Sequence, residues 1–221
     1  MSAPWDMQLL NACAAVLLLL AFGMLAQRRV VTLVDLLALQ GTMICIATAL
    51  VAWRTNEAHL YLSAALTFGL KVLLLPWLLR RLIRRLGVYW DTEPMINISG
   101  TMLIGVLIVI FAFGLAQPIT ALASTATRSC IGIAVAVVLL AFLMMITRRK
   151  AMSQVVGFLS MENGLFFGAM SATYGMPMVV ELGVALDILV AMLVLGVFFF
   201  QIREQFDSLD LHHFESLRED R

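Results

Sequence analysis

The polar and charged residues of this chain are spaced so as to leave seven long apolar stretches, over about 6–26, 31–52, 59–79, 96–116, 129–147, 153–173 and 178–200. Each approaches the roughly 20 residues that a helix needs to cross the hydrocarbon of a bilayer. The connectors are short. The longest run from Arg80 to Met95 and from Gln117 to Arg128, and Gly175-Met176-Pro177 predicts a tight turn between the last two helices. No soluble domain fits between them, so the pattern predicts an all-α integral membrane protein with seven transmembrane helices.

Composition agrees with the pattern. Of 221 residues 62% are hydrophobic and 13% charged, and the mean hydropathy is +0.97, well outside the soluble range of about 45 to 50% apolar. The net charge of +1 offers no basic surface for nucleic acid. Ala12–Ala26 is preceded by Asp6 and followed by Arg28-Arg29, the opposite polarity to a secretion signal, and is expected to stay as the first helix.

Alternating the connectors puts Arg28, Arg29, Arg80, Arg81, Arg84, Arg85, Arg148, Arg149, Lys150, Arg203, Arg218 and Arg221 on one side of the membrane and only Arg54 and Arg128 on the other. The positive-inside rule then predicts the N-terminus outside and the C-terminus in the cytoplasm. At an offset of 120 residues Arg28-Arg29 matches Arg148-Arg149, and Leu62, Ala65, Leu66 and Leu73 match Leu182, Ala185, Leu186 and Leu193. These identities suggest a parallel repeat of two three-helix units joined by one helix, or else chance agreement between apolar helices. The corresponding division is 1–90, a connecting helix and loop over 91–128, a second three-helix unit over 129–206 and a cytoplasmic tail over 207–221.

Three ionisable residues stand deep in apolar runs, where a charge at a helix centre costs about 2.5 to 3.5 kcal/mol on insertion scales. Glu162 and Asp187 lie near the midpoints of the sixth and seventh stretches, and Lys71 lies inside the third, five residues before Pro76. Groups so placed either relay ions through a wet interior or are structural, the carboxyls bonded to such partners as Asn163, Ser160 or Ser171 and the lysine in a fixed ion pair. Pro76 cannot donate to the carbonyl of Val72, which predicts a polar backbone group and a kink beside the lysine. Asp35 and Glu181 sit one turn inside their helices, where headgroup water solvates them or where ions enter and leave.

The remaining chemistry is sparse. His59 is expected at an interface, and adjacent His212 and His213 lack further ligands for a metal site. Cys13, Cys45 and Cys130 are far apart and read as small buried hydrophobes. The methionines read as packing, and Trp5, Trp53, Trp77 and Trp90 as interfacial anchors. Asn97-Ile98-Ser99 reads as a helix cap rather than a glycosylation site. No G-x-x-x-x-G-K, H-E-x-x-H or G-x-S-x-G occurs, so no independent active site is visible.

Three segments carry a resemblance. Leu70-Lys71-Val72-Leu73-Leu74-Leu75-Pro76, Met161-Glu162-Asn163-Gly164 and Glu181-Leu182-Gly183-Val184-Ala185-Leu186-Asp187 resemble motifs of the hydrogenase-4 component E family, a membrane subunit of nickel-iron hydrogenases related to respiratory complex I. The last three helices are similar in turn to the NuoK subunit of complex I, which carries a glutamate in each of its second and third helices, and to the MrpC subunit of cation/proton antiporters. Asp187 replaces one of those glutamates and is shorter by a methylene, so a water would have to fill the gap. The tail, with Leu209-Asp210-Leu211 and Glu215-Ser216-Leu217-Arg218, is similar to that of NuoK but has Glu219 where glycine is usual. The resemblance implies a non-catalytic subunit between antiporter-like subunits and a membrane anchor. In it Glu162, Asp187 and Lys71 would help couple redox chemistry to proton or sodium translocation, with the nickel-iron centre and iron-sulfur clusters in other chains. A structural bridge, a subunit of a related non-hydrogenase ion-translocating complex and a free-standing transporter are the alternatives.

Overall fold

The computed structural model describes residues 5–55, 58–86, 97–120 and 125–173, together with Gly183, Ala185, Leu186, Ile188, Leu189, Met192 and Gly196 as separate helical positions. Six of its helical rods are long and apolar enough to cross a membrane. They are α1 (Trp5–Ala26), α2 (Val30–Thr55), a compound third span, α5 (Ile98–Thr120), α6 (Thr125–Thr147) and α7 (Ala151–Thr173). The third span consists of α3 (Ala58–Thr67), a π-helical turn at Phe68–Leu74 and α4 (Leu75–Leu86). The expected seventh span and the tail lie outside the described residues, apart from the separate positions between 183 and 196.

The third span continues well past the expected end at 79. The arginines that suggested a connector lie on its outer face: Leu78, Leu79, Leu82 and Ile83 are buried while Arg80, Arg81, Arg84 and Arg85 are exposed. Segregation at helical spacing lets α4 bury one face and hold its charges at the membrane surface. The π turn has a cause in the sequence as well. Pro76 has no N–H to give, and just before it the Leu75 N–H donates to the Leu70 carbonyl five residues back, the wider closure of a π-helix.

Packing centres on α1, α2, α7 and α6, which contact one another in that cyclic order; the third span lies against α2, and α5 against α1 and α6. The tightest seam is α6 on α7. A side chain at Gly157 would meet Met145 at 2.8 Å, one at Gly164 the Val137 and Val138 side chains at 3.0 Å, and one at Gly168 the Cβ of Ala134 at 2.9 Å. Lipid gives helices no hydrophobic reason to associate, so close approach and dispersion must do it, and small residues make the approach possible.

At the arginine-rich end a buried side chain ties the ring shut. Arg148, 4% exposed, donates from Nη2 to the Leu25 and Gln27 carbonyls at 3.0 and 2.6 Å, satisfying the end of α1. Its counterpart in the suggested repeat behaves differently, since Arg28 and Arg29 are both exposed. At the opposite end the rings of Trp5 and Trp53 lie 5.1 Å apart and more than half exposed, as interfacial anchors do.

Candidate functional site

Three buried polar side chains converge at mid-span from three different rods. Glu162 is the central residue of α7, Lys71 the central residue of the π turn, and Gln40 lies near the middle of α2; they are 2, 4 and 0% exposed. Gly41 lets this happen, because a Cβ there would come within 3.2 Å of the Lys71 Cβ, so α2 and the π turn approach almost backbone to backbone. Within Met161-Glu162-Asn163-Gly164 the helical turn divides the labour. Glu162 and Asn163 face the lysine, while Gly164 seats α7 on α6.

Lys71 Nζ donates to Asn163 Oδ1 at 2.9 Å and to Glu162 Oε1 at 3.4 Å. The second distance is long for a charge-assisted bond, which runs at about 2.7 to 2.9 Å, so the pair is adjacent rather than tightly clamped. The Lys71 Nζ also stands 5.4 Å from the centre of the buried Phe166 ring, a cation–π distance. The lysine only donates, so the Asn163 carbonyl must face it and its amide must point away. That amide donates to Gln40 Oε1 at 3.5 Å. Gln40 Nε2 is left buried and without a partner among the described residues.

Beside these groups is a cavity lined by Leu37, Lys71, Leu75, Leu159, Glu162 and Asn163, with about 10 Å³ open to the centre of a water molecule. That is room for about one water, next to three polar groups able to bind it. Along the same α2–α7 seam the Thr48 hydroxyl has two acceptors in reach of its one proton, the Ile44 carbonyl at 2.9 Å and Met170 Sδ at 3.2 Å.

Of the residues expected to move ions, Lys71 and Glu162 are therefore brought together. Asp35 is not with them: it pairs at the arginine-rich end with Arg80, both about half exposed. Asp187 and Glu181 lie outside the described residues, as do Trp90, His212 and His213; Gly183 packs directly on the Phe166 ring. Gln40 was not singled out from the sequence; its signal was an amide beside a glycine in the middle of an apolar run. Among the described residues no three His, Cys, Asp or Glu side chains are grouped as a metal site would need.

Among the described residues, six membrane-length helices and a buried lysine–glutamate pair define a polytopic membrane protein with a charged centre. The chain is 34% identical over 212 residues to a protein of Mycobacterium tuberculosis (strain ATCC 25618 / H37Rv) named Uncharacterized protein Rv0085, the match covering 96% of each chain. It belongs to the family of that protein. It is also similar, at 24% identity over 160 residues, to Hydrogenase-4 component E of Escherichia coli (strain K12) and of Shigella flexneri, covering 72% of this chain and 74% of theirs. No protein-family profile and no solved structure matches the chain.

Proposed function

We propose that the chain is a membrane subunit of a complex I-related, hydrogenase-4-type assembly in the inner membrane, and that Lys71 and Glu162 form part of a polar axis coupling redox chemistry to proton or sodium movement. The N-terminus is outside and the C-terminus cytoplasmic, since the arginine-rich end is the cytoplasmic one. Similarity to the hydrogenase-4 component supports the assembly. The observation that carries the mechanism is the loose pair at mid-span, with a water-sized cavity beside it.

In this reading a proton arriving at Glu162 neutralises the carboxylate and weakens its hold on Lys71, whose charge then leans on Asn163 and Phe166. Loss of the proton restores the pair. Gln40 orients the Asn163 amide so that its carbonyl stays on the lysine through both states. Asp187 and Glu181 continue the axis on the seventh stretch, with Asp35 and Glu181 at the mouths where ions enter and leave. Antiporter-like and membrane-anchor subunits flank the chain, and the nickel-iron and iron-sulfur centres belong to partners.

A second reading is favoured by the same contact: Lys71 and Glu162 form a fixed ion pair, and the chain is a structural bridge without ion transfer. Glu162→Gln separates the two. The relay predicts a normally assembled complex whose redox-driven ion uptake into vesicles falls at least tenfold, because the amide keeps the shape and cannot titrate. Unchanged uptake in that variant leaves the bridge.

A further inference from the structure

The outer face of the third span carries a feature that the buried pair does not use. An open groove of about 550 Å³ runs along it, lined by Gly69, Leu73, Pro76, Trp77 and Arg80 among others. Its deep end is at Gly69, where a side chain would begin in open space with nothing within 4 Å. Its other end is at Arg80, and Arg81 and Arg84 follow as exposed residues on the same helix. Arg81 sits over the Trp77 ring at 5.2 Å, and Trp77 is 51% exposed, which marks the headgroup level.

Two properties say what fits there. From Gly69 to Arg80 the rod rises about 16 Å at roughly 1.5 Å per residue, close to the ~15 Å hydrocarbon depth of one leaflet. An apolar channel that begins at the headgroups and ends at the bilayer midplane has the reach of one acyl chain. The headgroup end is also charged: Arg80, Arg81 and Arg84 are exposed there, and among the described residues one carboxylate, Asp35, pairs with Arg80. We propose that this groove is a binding site for an anionic phospholipid of that leaflet. Its phosphate lies against Arg80, Arg81 and Arg84, and one acyl chain follows Trp77, Pro76 and Leu73 down to Gly69. Each arginine contributes roughly fivefold to affinity for an anionic headgroup.

The test uses the full chain in vesicles with Trp77 as reporter, after Trp5, Trp53 and Trp90 are changed to Phe. Phosphatidylglycerol brominated on its acyl chains should quench Trp77 at a several-fold lower mole fraction than brominated phosphatidylcholine. R80Q/R84Q should abolish the difference, and G69F, which puts a ring into the groove from a position where a Cβ meets nothing within 4 Å, should weaken quenching by both lipids. Equal quenching by the two lipids in the unmodified groove means an ordinary lipid shell and overturns the proposal. So does anionic preference that survives R80Q/R84Q, or, in the assembled complex, complete protection of Trp77 from either lipid, which would put a partner helix in the groove.

Discussion

The helices α5 and α7 are both 23 residues long, yet their central windows are 17% and 61% buried respectively. Between these two helices burial runs opposite to apolarity, for α7 is the least hydropathic of the six spans and α5 among the most hydropathic, whereas α6, more hydropathic still, is as buried as α7. In a soluble protein the greasier helix would be inside. Here Leu103, Leu107, Ile110 and Phe111 of α5 are each about 60% exposed, while Ser153, Ser160, Glu162 and Asn163 of α7 are buried. Lipid is the solvent, so exposed positions carry the apolar residues and the interior is where polar groups find one another.

The comparison breaks most sharply at its charged centre. Lys71→Met removes one partner and leaves the Glu162 carboxyl buried, which should destabilise the chain by about 3 to 5 kcal/mol. Thermal denaturation in detergent should show the loss, and adding Glu162→Gln should recover most of it. If the double variant is no better than the single one, the two side chains are not energetically coupled.

A gentler contrast uses the glycines. Gly164→Val on α7 pushes into Val137 and Val138, with the Val138 amide nitrogen only 3.2 Å from the new Cβ, and overpacking of that kind costs about 1 to 3 kcal/mol. Gly114→Val on α5 meets nothing within 4 Å and should leave the melting temperature almost unchanged. The smallest effect is expected at the surface, where Asp35→Asn breaks an ion pair that is about half exposed on both sides. Such pairs contribute about 0 to 1 kcal/mol, and added salt should hide even that.

The helices and their two charged centres were legible because lipid makes both conspicuous: an apolar run shows its length, and a lysine or glutamate inside it stands alone. Which charges meet was not legible. The described contact joins Glu162 to Lys71 of the third span, through a π turn that Pro76 favours but does not by itself specify, and Asp187 lies outside the described residues. Gln40 was overlooked because a neutral amide does not interrupt an apolar run as a charge does. Arg148 counted only toward the positive side, although its guanidinium is spent on the carbonyls at the end of α1. Arg80, Arg81, Arg84 and Arg85 suggested a connector because a run of charge looks the same in a loop and on the outer face of a helix.

What matters most is whether Glu162 changes protonation while the complex works. Infrared difference spectroscopy of the assembled membrane complex during redox turnover addresses this directly, through the carbonyl stretch of a protonated carboxylic acid. The account predicts a band that comes and goes with turnover and is missing from Glu162→Gln. A spectrum in which Glu162 stays ionised throughout, with every carboxylic-acid band retained in the variant, would contradict it.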